Sequence, residues 1–161
     1  MSTDRTDELE GLLSALVLVS NRLVRLAVHA IGDTEPPTRW RTLSVLETHG
    51  PLRLGELAER SRVSQPTMTK AIARLEPQGH VERVADPTDA RATLLRVTPA
   101  GSQALAQWCT RLSRALLPYF DTATDHELDA LGDTVTLLAD RLEHGIAHEE
   151  PPTPTHQERQ S

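Results

Sequence analysis

The segment Leu52–Val97 constrains the fold most strongly, because its hydrophobic periodicity changes from that of helices to that of strands within a short stretch. We predict a short helix over residues 54–61, followed by a turn at Arg62-Val63. Ser64 has the side chain of a helix N-cap, and Pro66 stands in the first turn, where its missing N–H costs nothing. The pattern therefore predicts two helices separated by a tight turn.

The second of these helices leads into a change of period. Pro77 and Gly79 end the helix, and Val81–Val84 and Leu94–Val97 predict two short strands. Between the strands, Ala85–Ala92 is rich in turn formers and predicts a long polar tip. Helix, turn, helix and hairpin in this order predict a winged helix-turn-helix whose second helix presents a polar face outward.

A long helical pattern precedes this segment. Leucines at steps of three and four predict a helix over residues 7–31, which Gly32 ends. This helix is too long to need complete burial against its own domain. Pro36-Pro37 interrupts the pattern, and Thr38 is the predicted N-cap of a further helix over residues 39–48.

Two more helices follow the hairpin. Thr98-Pro99 has the hydroxyl and the proline of a helix start, and this helix runs to about residue 119, with Pro118 disturbing its end. The last helix begins near Asp125 and carries apolar residues at alternating steps of three and four, as in a coiled coil: Leu128, Leu131, Val135, Leu138 and Leu142. The predicted fold class is mainly α with a small β-hairpin wing.

The net charge of −6 conceals a strong segregation of charge along the chain. Residues 39–96 hold 10 Lys or Arg against 7 Asp or Glu, whereas residues 1–38 hold 3 against 6 and residues 97–161 hold 4 against 10. Because a binding partner experiences the local field, the basic middle suits a polyanion. Of the 17 basic residues 16 are Arg, whose guanidinium binds phosphates and guanine edges well.

The sequence lacks the characteristic residues of several classes of protein. A single cysteine excludes a disulfide framework and a multi-cysteine metal site, and the seven histidines show no paired ligand spacing. We find no glycine-rich phosphate loop, nucleophile elbow or catalytic carboxylate pair, so we predict no enzyme, no metal and no cofactor. The longest apolar run, Leu12–Val19, is interrupted by Ser14 and short for a membrane span, so we expect a cytoplasmic protein.

Residues 52–101 resemble the MarR family of bacterial transcription regulators. The most specific piece is Asp89-x-Arg91 followed by Thr98-Pro99-x-Gly101. The other matching pieces are Leu57-Ala58-Glu59-Arg60, Val63–Lys70, Arg74-Leu75-Glu76, Gly79–Arg83 and Leu95–Val97. The helices on either side match the family in number and placement only.

The resemblance implies which residues contact DNA. The recognition helix would begin near Ser64, with base and phosphate contacts from Gln65, Pro66, Thr67, Thr69, Lys70 and Arg74. Arg91 matches the family's wing arginine, and Asp89 matches the partner that orients its guanidinium. Two positions depart from the common pattern: Arg62 stands where such turns often have glycine, and Pro77 should shorten or bend the last turn of the recognition helix.

The resemblance also implies a homodimer and a small-molecule site. We predict an N-terminal dimerisation helix in residues 1–37, a DNA-binding domain in 38–98, C-terminal dimerisation helices in 99–146 and a disordered tail in 147–161. A cleft between the dimer helices and the DNA-binding lobe would hold a phenolic carboxylate. Its candidate residues, for which plain core packing is the alternative, are His29, Trp40, Arg41 and Trp108.

Cys109 has two interpretations. One branch of the family senses peroxides with a reactive cysteine near the N-terminal helix. Cys109 lies far from that position and beside Trp108, so we predict a buried structural thiol.

Two functions are compatible with these features. The first is a sequence-specific DNA-binding transcription regulator, a repressor that binds a palindromic operator as a homodimer and is released by a small aromatic or phenolic ligand. The second is a winged-helix protein-interaction module without DNA binding. The basic middle of the chain and Arg91 favour the first function, and a steep loss of duplex DNA binding with salt would distinguish the two.

Overall fold

A winged helix-turn-helix with additional helices at both ends forms the protein. The structure, a computed structural model, describes residues 3–147. It is mainly helical with one antiparallel hairpin, which confirms the predicted fold class. The elements in chain order are α1 (Thr3–Ala30), α2 (Pro37–His49), α3 (Leu54–Arg60), α4 (Gln65–Leu75), β1 (Val81–Asp86), β2 (Asp89–Val97), α5 (Pro99–Leu116), a 3-10 turn (Leu117–Tyr119) and α6 (Asp125–Ala147).

Helices α2, α3 and α4 and the hairpin share one hydrophobic core. Helix α4 buries Met68, Ile72 and Leu75, which recur at steps of four and three, and leaves its other face to solvent. The remaining core residues come from the other elements and are Leu43, Leu46, Leu52, Leu57, Ala58, Val81 and Leu95. This core holds α4 in place and thereby fixes which of its side chains point outward.

The starts of α4 and α5 follow the predicted capping chemistry, whereas the start of α2 does not. The Ser64 hydroxyl accepts from the backbone N–H of Thr67, and the Thr98 hydroxyl accepts from that of Gly101. The prediction of Thr38 as a cap is wrong, because α2 begins one residue earlier at Pro37. Proline lacks the N–H of the first helical position, and the N–H of the third residue, Arg39, donates to the carbonyl of Pro36 in place of a side-chain cap.

The turn between α3 and α4 contains a residue with unusual backbone geometry. Arg62 has a φ of 51°, in the left-handed region that favours glycine. Its N–H donates to the carbonyl of Glu59, and the N–H of Val63 donates to that of Ala58, so both hydrogen bonds hold the turn. At the other end, α4 stops at Leu75, two residues before Pro77, as expected for a shortened recognition helix.

The hairpin differs from its predicted form. The strands extend to Asp86 and from Asp89, so the turn contains two residues instead of the long polar tip predicted over Ala85–Ala92. Ala85 pairs with Thr93 but Asp86 pairs with Asp89, so β2 bulges between these pairs. The turn-forming residues thus lie in a bulged but paired wing, because strand pairing outweighs their local preference.

Helix α5 begins in close contact with the base of the wing. Gly101 is buried, and a Cβ there would overlap the carbonyl oxygen of His80 and lie 2.9 Å from Cγ2 of Val97. The Thr98 hydroxyl donates to the carbonyl of Gly79, and the N–H of Thr98 donates to that of His80. The motif Thr98-Pro99-x-Gly101 therefore joins α5 to the wing.

Cys109 is exposed on α5, so the predicted buried thiol is wrong. The buried face of α5 runs through Gly101, Trp108 and Leu112, and Cys109 is rotated by about 100° from Trp108. A cysteine that follows a half-buried aromatic residue in sequence therefore lies on a different side of the helix.

Helix α1 is apolar over most of its length but only partly covered. Ala27 is completely buried in its C-terminal half, where α1 contacts α5, and Gly32 ends the following turn with a φ of 61°. The exposed large residues of α1 are Leu9, Leu12, Leu13, Val17, Leu18, Val19 and Val24. By length and composition, residues 4–30 could cross a membrane, although Ser14 interrupts their longest apolar run.

The chain divides into two compact units, one ending at Asp121 and the other beginning at Thr122. Within the second unit, Thr124 and Glu127 cap the start of α6 reciprocally, since each side chain accepts from the backbone N–H of the other residue. The exposed apolar residues of α6 are Leu128, Leu131, Val135, Leu137 and Leu142. The predicted tail lies, from residue 148 onward, outside the described residues.

Candidate nucleic-acid interface

The outer face of α4 carries the residues predicted to contact DNA. The side chains of Gln65, Pro66, Thr67, Thr69, Lys70 and Arg74 are all exposed. Lys70 and Arg74 are four residues apart and so lie on one side of the helix. The Thr69 hydroxyl donates to the carbonyl of Gln65 at 2.9 Å and retains its capacity to accept a hydrogen bond.

The basic residues of 39–96 fall into two groups. Six of the ten have an acceptor within the protein, which fixes their side chains as part of the fold. Arg83 donates to Glu76 at 2.7 Å, and Arg96 donates to Glu82 at 2.7 Å. Arg39 contacts Gln78 and Glu35, and Arg41 donates to the Ser61 carbonyl. Arg53 donates to Asp86, and Arg60 contacts His49.

The remaining four cations are Arg62, Lys70, Arg74 and Arg91. All four are exposed, and among the side chains that the structure describes, those of residues 4–142, none is their hydrogen-bonding or ion-pairing partner. Two lie on α4, one on the wing and one in the turn before α4. Within residues 39–96, the cations that the fold leaves unpaired thus lie on α4, in the turn before it and on the wing.

Arg39 and His80 form a polar link between α2 and the start of the wing. Nη2 of Arg39 lies 3.2 Å from Nδ1 of His80, and because arginine is only a donor, that nitrogen accepts. Burial and the neighbouring Arg39 cation both lower the pKa of His80, which favours the neutral ring.

A buried carboxylate anchors the wing to α3. Oδ2 of Asp86 accepts from Nε of Arg53 at 2.9 Å, and Oδ1 accepts from the backbone N–H of Thr88 at 2.8 Å and from its hydroxyl at 2.6 Å. The bonds from Thr88, followed by that from Arg53, lower the pKa of Asp86 to about 2. Arg53 precedes α3 directly, so this contact ties the wing to the helix-turn-helix.

Asp89 and Arg91 do not have the predicted arrangement. Oδ1 of Asp89 accepts from the backbone N–H of Arg91 at 3.0 Å, and Oδ2 lies 3.8 Å from Nη2 of Arg53. The Asp89 carboxylate therefore shapes the backbone of the bulge instead of bonding to the Arg91 guanidinium. This leaves the Arg91 side chain exposed on the wing.

Substitution of Asp86 should loosen the wing. Because the pKa of folded Asp86 is about 2 and its ordinary value is 3.8, the carboxylate stabilises the fold above about pH 4, and this contribution is lost as the pH falls towards 2. We expect Asp86→Asn to lower the urea midpoint at pH 7 and to reduce its decline between pH 4 and 2. Asp89→Asn, at an exposed position, is the control; equal effects of both substitutions would contradict the anchor.

Two of the four candidate ligand residues meet in the structure. The rings of Trp40 and Trp108 stack with centroids 4.9 Å apart. Both indole N–H groups donate to Oδ2 of Asp33, at 3.0 and 2.7 Å. Burial raises the pKa of Asp33, but hydrogen bonds from the N–H of Glu35 and from the two indoles outweigh it, so the pKa lies below its usual value.

The other two candidates lie apart from this cluster. His29 is exposed at the end of α1, and Arg41 donates to the Ser61 carbonyl. Asp33 is not among the residues predicted from the sequence, where its only signal is that it follows the helix-ending Gly32. Among the described residues no group of three or more His, Cys, Asp or Glu is arranged to hold a metal ion.

Comparison with known proteins agrees with this architecture. The sequence model of the MarR family matches residues 36–93. An uncharacterised HTH-type transcriptional regulator of Mycobacterium leprae, ML2140, is 29% identical over 135 residues, which are 82% of this chain and 93% of that protein. The HTH-type transcriptional repressor IacR of Pseudomonas putida is 32% identical over 71 residues, which are 44% and 42% of the two chains.

A solved structure shows the same fold. The transcriptional regulator Tm0710 of Thermotoga maritima superposes with a TM-score of 0.66 at 22% identity, over 86% of this chain and 98% of that chain. The matched family segment contains α2 to α4, the first strand of the wing and Arg91. Across residues 36–93 the chain has the helix-turn-helix and wing of the MarR family, and it is a DNA-binding transcriptional regulator, not an enzyme.

Proposed function

We propose that the protein is a repressor that binds a palindromic operator as a homodimer and is released by a small aromatic carboxylate. The main support for DNA binding by this surface is that Lys70, Arg74 and Arg91 are exposed and unpaired, while neighbouring arginines are bound within the fold. α4 would enter the major groove, and Arg91 would reach the adjacent minor groove, whose negative potential attracts arginine. Side chains from Ser64 to Arg74 supply the base and phosphate contacts in this proposal.

The apolar surfaces of the terminal helices support a homodimer. Leu12 and Leu18 on α1 are 64% and 69% exposed, and Leu142 on α6 is 65% exposed. A soluble protein rarely leaves so many large apolar side chains in water, and a second copy offers the same surfaces across a two-fold axis. We therefore assign dimerisation to residues 1–37 and 99–146, and DNA binding to residues 38–98.

Sedimentation tests the dimer. We expect the protein to sediment as a dimer at micromolar concentration, because burying two apolar stripes gives a large interface. Leu13→Glu should weaken association, whereas the same change at the exposed polar position Arg22, which lies on the opposite side of α1, should not. A folded monomer of the wild type at micromolar concentration would contradict this assignment. Stable association with lipid vesicles would instead mean that α1 lies in a membrane, and that the cytoplasmic location we propose is wrong.

A two-fold protein should read a two-fold operator. Each subunit presents one recognition helix, so half-site centres should lie about 34–36 Å apart, one turn of the duplex. The wings should favour A·T-rich flanks, because Arg91 reads groove width. The test is selection of bound sequences from genomic DNA of the source, followed by footprinting. Insertion of about five base pairs between half-sites places them on opposite faces and should abolish binding; undiminished binding would contradict the symmetric mechanism.

The tryptophan cluster supports an aromatic carboxylate as the effector. Two half-buried indoles direct their N–H groups to one carboxylate oxygen of Asp33, and an aromatic acid offers both a ring to stack and an oxygen to accept. Such an acid would compete with Asp33 for the two N–H groups. Hydroxybenzoates added to the protein–DNA complex should release the DNA and change the indole fluorescence. Release of the DNA without a change in indole fluorescence would mean that the effector binds at a site other than the tryptophan cluster.

A further inference from the structure

We infer that Arg62 is a fourth DNA-contacting cation, which binds a backbone phosphate beside the groove that α4 enters. This inference rests on the DNA-binding face proposed above. The charge pattern carries it: of the ten basic residues in 39–96, the exposed and unpaired ones within the described structure are Arg62 and the three already assigned to DNA. The fold uses each of the other six internally.

The position of Arg62 suits a phosphate better than a base. It lies in the turn between α3 and α4, three residues before Gln65, the first residue of the recognition helix. Side chains at the start of a recognition helix meet base edges, and the phosphates line the sides of the groove. The hydrogen bonds of the Arg62 and Val63 N–H groups fix the turn, so the Arg62 side chain projects from a defined backbone.

The backbone of Arg62 separates a DNA contact from a role in folding. A backbone φ of 51° is sterically unfavourable for arginine, whereas glycine adopts it without a steric penalty. Arg62→Gly should therefore stabilise the protein while it weakens DNA binding. A side chain that only supported the fold would make both quantities fall together.

The test measures binding to two 30-base-pair duplexes, the selected operator and a random sequence, between about 50 and 300 mM salt. The salt slope is the slope of log affinity against log salt concentration. Arg62→Gln and Arg62→Gly should each lower it by about one per subunit, and so by about two for the dimer, and should weaken binding about fivefold per subunit at 0.15 M salt. The loss should be the same on both duplexes, because a phosphate contact carries no base preference. Arg62→Gly should also raise Tm by about 2–4 °C.

Arg96→Gln is the matched control, because Arg96 is also exposed but is paired with Glu82. It should leave the salt slope unchanged. If Arg62→Gln leaves the slope unchanged while Arg91→Gln lowers it, the inference about Arg62 is wrong and the proposed DNA face stands. A loss on the operator alone would make Arg62 a base contact and overturn its assignment to a phosphate. A wild-type protein that binds neither duplex would overturn the proposed function itself.

Discussion

Gly101→Ala should destabilise the protein by about 3 kcal/mol or more, because the new Cβ overlaps the backbone carbonyl of His80. A flexible side chain could move aside, but this carbonyl also accepts the N–H of Thr98 and lies at the start of β1. Relief of the overlap must therefore shift α5 away from the wing or break that hydrogen bond. Thermal unfolding should show a Tm lower by roughly 10 °C.

Gly55→Ala is the control for this substitution. Gly55 lies in the first turn of α3, and an added Cβ would meet only the side-chain amide of Gln65, at 3.3 Å. Because that amide is the end of a flexible side chain, we expect a change within about 1 kcal/mol. Equal stability of Gly101→Ala and the wild type would mean that α5 does not approach the wing as closely as the structure shows.

The double substitution Lys70→Gln with Arg74→Gln should weaken operator binding by about thirtyfold per subunit at 0.15 M salt and lower the salt slope by about two per subunit, and so by about four for the dimer. Both side chains are exposed and unpaired, so their removal breaks no bond within the protein and should leave Tm nearly unchanged. If either side chain contacts a guanine edge, specificity at that base pair should relax by a further 1–3 kcal/mol, roughly. The measurement is a binding titration at several salt concentrations.

The control removes the same charge from paired positions. Arg83→Gln with Arg96→Gln lowers the charge by the same amount, but these arginines are bonded to Glu76 and Glu82. We expect a smaller change in the salt slope, since these two side chains are already engaged within the protein. Equal slopes for the two double variants would show that only total charge matters and that α4 is not the contact surface.

Local chemistry made much of the fold predictable. Ser64 and Thr98 cap their helices as their hydroxyls predict, and the steps of Met68, Ile72 and Leu75 identified the buried face of α4. These features depend on residues a few positions apart. The prediction of Thr38 as a helix cap failed because the neighbouring Pro37 is equally suited to start a helix.

Features that depend on distant residues were harder to predict. The turn formers of the wing tip are paired into strands, and Arg53, which is distant in sequence, holds Asp86 at the end of β1. The tryptophan cluster requires Asp33 to meet Trp108, which no spacing in the sequence indicates. Cys109 was misplaced because its sequence neighbour Trp108 lies on a different side of the helix.

The division of the arginines into paired and unpaired side chains was equally hard to predict from the sequence. The sequence shows that residues 39–96 are basic, but only the folded chain shows which cations are neutralised within it. Glu76 directly follows α4 and Arg83 lies on β1, and the turn between these elements brings the two side chains together. Charge counts therefore indicated a polyanion partner, and the geometry selected the side chains free to bind it.

The salt dependence of binding to matched duplexes tests the central claim most directly. The operator recovered from genomic selection and a shuffled duplex of the same length and composition would be titrated with the wild-type protein over a range of salt concentrations. We predict that both affinities fall steeply with salt and that the operator is bound at least about a thousandfold more tightly at physiological salt. Equal affinity for the two duplexes, or binding that does not change with salt, would contradict a sequence-specific regulator that reads DNA through α4 and its wing.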